Sequence, residues 1–288
     1  MSLDVLNTIL LPLTLAITTL GMGLSLEKKD FQYIFWHPNA IITGLTAQMV
    51  LLPAIAFIIA YFSKLEPEFK VGLILIAACP GGATSNLINY IFRNNLALCL
   101  SITTINSFLV QFSLPLIVNI ALGIFIGQTK DFELPFLDTV LQIFLITVIP
   151  TIIGIYIRAK FRDFAISMDK PLKIALPILL LVVFSVVIFK ESNNPTTTLR
   201  NYVNIYPFAL LLNLLAIIAG RNTSRLTRLK KNNQLTIAVE VGLQNSALAI
   251  FIASSLLENS MIAIVAVIYS SFSFFTTALY AWLAKRYW

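Results

Sequence analysis

Charged side chains are scarce in this sequence, making up 11% of its 288 residues, against about 25% in an average soluble domain. The only histidine is His37, so a zinc site of the HExxH type, which needs two histidines, is excluded. The only cysteines, Cys79 and Cys99, both lie within apolar runs and do not suggest a disulfide framework. The short alternating segments typical of a transmembrane barrel are missing. The shortage of charge therefore argues against a water-soluble fold.

Apolar residues make up 58% of the chain and fall into runs of twenty or more. Such runs are long enough to cross a hydrocarbon core of about 30 Å as helices. We predict an all-α integral membrane protein with nine transmembrane helices, at about 5–25, 35–62, 67–92, 95–126, 135–158, 170–189, 202–220, 232–257 and 260–284. The connecting segments are too short to fold alone, so residues 1–288 are expected to form one polytopic domain in the lipid bilayer of a cell membrane, such as a bacterial inner membrane.

The basic residues predict the orientation of these spans. An odd number of spans places the termini on opposite sides, and with the N-terminus outside, fifteen of the twenty Lys and Arg residues lie inside. Those left outside are Lys64, Lys70, Lys130, Lys190 and Arg200. The positive-inside rule therefore favours an outside N-terminus and a cytoplasmic C-terminus. Because the basic residues occupy short segments and no single face, the formal charge of +7 reports topology and does not predict a nucleic-acid partner.

Two predicted spans are interrupted at membrane depth. The third contains Cys79–Asn86, with a Pro-Gly-Gly break, and the eighth contains Glu240–Asn245, with a central glycine. The two spans are five apart and so run in opposite directions, which predicts an inverted repeat with residues 1–126 and 170–288 as its halves and 135–158 as the linking span. Matched interruptions of this kind indicate the binding site of a secondary transporter, because unwound backbone offers carbonyls to cations and helix N-termini to anions.

Glu240 is the only one of the thirteen acidic residues predicted to lie mid-span. No Lys or Arg lies at the centre of a span to pair with it, so we expect a bound cation or proton, although a buried acid that serves packing is the alternative. Gln244 follows one turn later, and oxygen ligands suit hard cations. Gln48, midway along the second span, fits an ion site and an interhelical hydrogen bond equally well.

Further polar residues lie close to the first break. Ser85 and Asn86 directly follow the Pro-Gly-Gly sequence, which explains why polar groups are tolerated at that depth. In the fourth span, spacing of three and four residues places one polar stripe on a single helix face, made of Cys99, Thr103, Asn106 and Ser107. Such a stripe serves helix packing unless it faces the broken helices, and the sequence leaves both readings open.

Taken together, these motifs resemble the bile acid:sodium symporter family, that is, the sodium/bile acid cotransporters, in its nine-span form. The resemblance covers nearly the whole chain and is carried by Gly21–Leu24, Cys79–Asn86 and Glu240–Ser246. It implies a panel of helices beside a core in which two discontinuous helices cross, with two sodium ions bound behind the crossing. It also implies sodium-coupled symport of organic anions by alternating access.

The resemblance assigns ligands by position. It implies a first sodium site made of Ser85, Asn86, Thr103 and Glu240. It implies a second made of Gln48, Glu240, Gln244 and the carbonyls of Val241 and Leu243. It places the substrate against Thr84, Asn245 and Ser246. Cys99 stands where the resemblance implies a serine hydroxyl, and a thiol is a poor ligand for a hard cation, so the first site is expected to be weakened.

The substrate class and the coupling ion stay open at this stage. The resemblance permits bile acid-like anions and small carboxylates such as pantoate. Within transport, a proton-coupled or sodium-independent anion carrier is the alternative, because an isolated glutamate can also cycle protons. An intramembrane enzyme is the rival from another class, but no aspartate lies at depth to form a catalytic pair. A receptor or a purely structural protein would not explain two matched breaks, and none of these readings requires an oligomer.

Overall fold

The computed structural model of the protein describes residues 9–127, 134–168 and 199–287, together with seven scattered residues from 171 to 185. Within these ranges the chain is helical and forms no strand. The first helices along the chain are α1 (Leu11–Ser25), α2 (Lys28–Trp36), α3 (Pro38–Phe62), α4 (Pro67–Ala78), α5 (Ala83–Ile91) and α6 (Leu96–Phe125). The remaining labelled helices are α7 (Phe136–Lys160), α8 (Leu199–Leu226), α9 (Lys231–Gly242), α10 (Ser246–Phe251, continued by a π-helical turn at Ile252–Leu256) and α11 (Ser260–Tyr287).

The prediction of an all-helical, multi-pass membrane protein is confirmed. Six helical segments are long and apolar enough to cross a bilayer, and the bent pair α4 and α5 makes a seventh. Helix α1 coincides with the first predicted span and is a shorter apolar helix of 15 residues. The sixth predicted span, 170–189, lies outside the continuously described residues, so the total of nine stays a prediction.

The second predicted span begins later than expected, at Pro38 and not near residue 35. The residues before it form the separate helix α2, which starts with a capping box: Glu27 accepts from the third residue of the helix, and Asp30 accepts from the Glu27 amide at 2.8 Å. Proline is favoured in the first turn of a helix because its missing N–H has no partner there in any case. The boundary is therefore set by local capping chemistry.

The helices differ strongly in how deeply they lie in the bundle. In the segment formed by α9 and α10, 94% of the most apolar stretch is buried, against 17% in α7. Helix α7 packs against α1 at very short range, since a Cβ atom on Gly23 would meet the Thr151 carbonyl and one on Gly154 would meet the Leu20 carbonyl. Small residues allow this approach of two membrane helices. The segment formed by α9 and α10 thus runs through the centre of the bundle, with the α1–α7 pair at its side.

Helix α3 contains a π-helical turn at Ala47–Leu51, which ends two residues before Pro53. Proline has no N–H to continue the regular ladder, and π-helical turns are a common way for a helix to absorb such a defect. The turn carries Gln48, whose side chain is buried. Local backbone chemistry therefore helps to position one of the predicted ligands.

Candidate cation and anion site at two helix breaks

Both predicted interruptions are present, and they touch each other. Helices α4 and α5 are bent by 55° across the break between them, and α9 is separated from α10 by Leu243–Asn245. The Asn245 amide donates to the Pro80 carbonyl at 2.8 Å. The two unwound segments are thus joined by a backbone hydrogen bond.

At the start of each second half-helix, backbone amides find acceptors close by in the chain. The Asn245 side chain accepts from the Leu248 amide at 3.1 Å and so caps α10. At α5, the Gly82 carbonyl accepts from the Ser85 and Asn86 amides, at 3.2 and 3.3 Å. Unwound backbone is tolerated at membrane depth only where such partners or a lined cavity exist, and the two N-termini carry partial positive charge.

Glu240, at the end of α9, is fully buried and lies at the centre of a polar cluster. Its Oε1 accepts from the Thr103 hydroxyl at 2.5 Å, and its Oε2 lies 3.0 Å from the Cys99 thiol. The Ser85 hydroxyl, which donates to the Gly82 carbonyl at 2.8 Å, lies near the carboxylate, and the Asn86 Oδ1 lies 3.0 Å from the same thiol. The predicted members of the first sodium site therefore lie together, and Cys99 and Thr103 of the polar stripe in the fourth span face the broken helices.

No Lys or Arg side chain in the described part of the chain pairs with Glu240; the ion pair between described residues is Arg158 with Glu27. A buried carboxylate without a cationic partner carries a large desolvation cost, several kcal/mol in a membrane. The Thr103 hydroxyl and the Cys99 thiol are neutral donors, and their hydrogen bonds offset only part of that cost. The cluster is thus arranged to receive a positive charge.

Gly81 permits the close packing of the first break against this carboxylate. A Cβ atom built on Gly81 would overlap the Glu240 carboxylate, whereas one built on Gly82 would lie 3.7 Å from its nearest neighbour, in Asn245. A side chain at position 81 would therefore displace the Glu240 carboxylate, whereas one at position 82 would not.

A second group of polar atoms lies at the same breaks. Gln48 Nε2 donates to Gln244 Oε1 at 2.5 Å and to the Cys79 carbonyl at 3.2 Å, while Gln244 Nε2 donates to the Val241 carbonyl at 2.7 Å. The Gln48 Oε1 is buried and has no hydrogen-bond partner. Three of the predicted second-site ligands are thus in contact, and Leu243 lies in the break beside them.

Three buried residues that were not predicted from the sequence support the two groups of polar atoms. Asn89 donates to the Cys99 sulfur at 3.1 Å. Asn213 and Tyr269 both donate to the Gly242 carbonyl, at 2.7 and 2.9 Å. These contacts hold the thiol and the end of α9 in place. Their signal was weak, because a single Asn or Tyr in an apolar run is common in membrane helices that pack through hydrogen bonds.

A cavity of about 370 Å³ opens between the α1–α7 pair and the broken helices. Among its lining residues are Pro80 and Asn245 at the breaks, Thr103 and Ser107 on α6, and Thr151 on α7, and none of its described lining residues is charged. It lies towards the C-terminal end of α1 and the N-terminal end of α6, which is the end predicted to be cytoplasmic. Its size is that of a small-molecule site.

The predicted substrate contacts do not all line this cavity. Asn245 lines it, but Thr84 and Ser246 line a separate space of about 50 Å³ on α5, α10 and α11, which Asn245 also borders. Asn245 is therefore the one predicted substrate residue shared by both spaces among the described residues.

Comparison with known proteins finds a family and several relatives that match this chain. A model of the sodium bile acid symporter family matches residues 12–195. An uncharacterized sodium-dependent transporter of Bacillus subtilis, YocS, is 28% identical over 241 residues, which cover 84% of this chain and 72% of that protein. A probable chloroplastic sodium/metabolite cotransporter of Arabidopsis thaliana, BASS1, is 28% identical over 254 residues, 87% of this chain and 60% of that protein.

A human relative, sodium/bile acid cotransporter 4, is 28% identical over 231 residues, which cover 80% of this chain and 52% of that protein. The chain therefore spans about half to three fifths of the length of the human and plant relatives. All three relatives are named as sodium-dependent transporters or cotransporters.

Proposed function

The chain belongs to the sodium bile acid symporter family, and on that premise we propose that it is a secondary active transporter that carries a small organic anion together with sodium ions. The observation that carries the proposal is Glu240, a fully buried carboxylate without a cationic partner among the described residues. Neutral oxygen atoms surround it where two broken helices meet. Such a site suits a hard monovalent cation.

We assign a first sodium ion to Ser85, Asn86, Thr103 and Glu240. The Thr103 hydroxyl already contacts one carboxylate oxygen. A cation that enters the cluster therefore needs only to make the hydroxyl and thiol groups turn their hydrogens away from the carboxylate. Cys99 occupies the remaining side of the cluster and offers sulfur instead of oxygen. This site is therefore the weaker of the two.

We assign a second sodium ion to Gln48, Glu240, Gln244 and the carbonyls of Val241 and Leu243. The unpartnered Gln48 Oε1 supports this assignment. Turning the Gln48 amide by half a turn would direct its oxygen towards Gln244 Oε1, and two facing acceptors are stable only with a cation or a proton donor between them. The ion would then replace the two hydrogen bonds of the Gln48 amide by several oxygen ligands.

The anion is proposed to bind in the 370 Å³ cavity, at Asn245, with Thr84 and Ser246 reached from the other side of the crossing. The N-termini of α5 and α10 attract its negative charge, and the bound sodium ions offset it further. Because the described lining is uncharged and largely apolar, the substrate class is an amphiphilic or small carboxylate, of which bile acid-like anions and pantoate are examples.

Alternating access would follow from movement of the α1–α7 pair against the broken-helix core. With nine spans and a cytoplasmic C-terminus, the 370 Å³ cavity faces the cytoplasm. Two sodium ions with a monovalent anion move one net positive charge per cycle, and each charge is worth about 2.3 kcal/mol per 100 mV of membrane potential.

Proteoliposome uptake tests the function. An inward sodium gradient is expected to drive accumulation of a labelled organic anion from a panel of bile acids and short carboxylates, and replacing sodium by potassium should abolish accumulation. Accumulation that follows an imposed pH gradient in the absence of sodium would instead establish proton coupling.

Cys99→Ser is expected to lower the sodium concentration for half-maximal uptake by about fivefold, as expected if a hydroxyl ligand contributes roughly 1 kcal/mol more than a thiol. It should also make the sodium curve steeper. The matched control is Cys79→Ser, the same exchange at a buried thiol that makes no hydrogen bond within the described chain. An unchanged curve in Cys99→Ser would show that position 99 does not contribute to the site.

A further inference from the structure

A further cavity lies at the end of the bundle where α2 meets α3 and α8 meets α9. Its volume is about 450 Å³, and its lining includes Tyr33, His37, Asn95, Arg228 and Lys230. We propose that this pocket binds the phosphodiester headgroup of an anionic phospholipid. The site is separate from the Glu240 cluster and does not depend on the transported substrate.

The charge of the pocket calls for an anion. Arg228 and Lys230 line it, and none of its described lining residues is acidic. Neither side chain forms an ion pair with a residue that the structure describes. The first turn of α3, a helix of 25 residues, also opens onto the pocket and adds the partial positive charge of a helix N-terminus.

The floor of the pocket is a fixed polar surface. Asn95 Nδ2 donates to the Tyr33 hydroxyl at 2.7 Å and to Asn233 Oδ1 at 2.8 Å. The Tyr33 ring stacks on His37, with centroids 4.1 Å apart. Three chain segments are thus held together beneath the two cations, so a headgroup would meet a preformed site.

The border of the pocket favours a lipid over a soluble anion. Phe35, Trp36 and Leu226 are 81%, 78% and 82% exposed. Trp36 lines the pocket itself, Phe35 precedes it in the chain, and Leu226 lies two residues before Arg228. Large apolar and aromatic side chains at the end of membrane helices belong at the lipid interface. A ligand with both a phosphate and acyl chains satisfies the cations and covers these side chains together, and basic pockets between helices on the cytoplasmic side are the usual form of such sites.

Native mass spectrometry of the purified protein tests the proposal, with phosphatidylglycerol and phosphatidylcholine of identical chains as probes. The double variant Arg228→Gln/Lys230→Gln is expected to weaken phosphatidylglycerol binding by about 30-fold, since each basic side chain near an anionic headgroup contributes about fivefold. The control Lys160→Gln/Arg162→Gln removes the same charge from exposed positions at the same predicted side, and should bind as the wild type does.

Each alternative outcome overturns the proposal. Equal losses in the two double variants would indicate attraction to general surface charge and no pocket. Equal wild-type affinity for the two lipids would remove the role of the anionic headgroup, a result that does not depend on the folding of any variant. Displacement of phosphatidylglycerol by millimolar inorganic phosphate would identify a site for a free anion.

Discussion

Glu240→Gln is expected to reduce sodium-driven uptake by at least about 100-fold. In the account above, this carboxylate offsets the charge of both sodium ions, and removing one partner of a buried ion pair costs about 3–5 kcal/mol. The amide has nearly the same shape, can still accept from Thr103, and removes the cost of a buried charge. The variant should therefore fold, while the sodium dependence of uptake disappears.

The matched control for this variant is Glu66→Gln, which makes the same chemical change at an exposed acid before α4. Its uptake should be unchanged. Size-exclusion profiles and thermal stability of both purified proteins separate a folding defect from a coupling defect. A Glu240→Gln protein that is folded and keeps the wild-type sodium curve would reject Glu240 as the ion ligand.

Gly81→Ala is the second variant with a large expected effect. The added Cβ would overlap the Glu240 carboxylate, and forcing an extra methyl into a packed site costs about 1–3 kcal/mol. The carboxylate or the unwound backbone must move, so the sodium concentration for half-maximal uptake should rise by about 5- to 150-fold. Sodium titration of uptake measures this change.

Gly82→Ala adds the same methyl one residue later, where the nearest atom would be 3.7 Å away. We expect its sodium curve to shift far less than that of Gly81→Ala. Equal shifts in both variants would mean that the effect comes from stiffening of the break and not from contact with Glu240, and would weaken the assignment of this carboxylate to the site.

The sequence predicted the broken helices and the central acid because both depend on local chemistry. A proline followed by two glycines strongly favours a break in a helix, and a carboxylate at mid-span stands out against an apolar run. The exception is the start of the second span, which was predicted near residue 35 and lies at Pro38, because the preceding residues form a separate helix with its own capping box.

The partners of the site depend on packing between distant segments and were found only in the structure. Asn213 lies 29 residues from the Gly242 carbonyl that it holds, and Asn89 looks like any polar residue near a helix end. The division of the substrate contacts between two spaces has the same cause. Thr84 and Ser246 are near the crossing in sequence, but the side of the crossing that each faces is set by the bend of 55° and by the packing of α11.

The stoichiometry of sodium binding to the purified protein tests the central claim most directly. Calorimetric titration with sodium, repeated with potassium, is predicted to show about two sodium ions bound by the wild type, with the weaker site strengthened in Cys99→Ser and both lost in Glu240→Gln. Sodium binding that is equal in the wild type and in a folded Glu240→Gln protein would contradict the account.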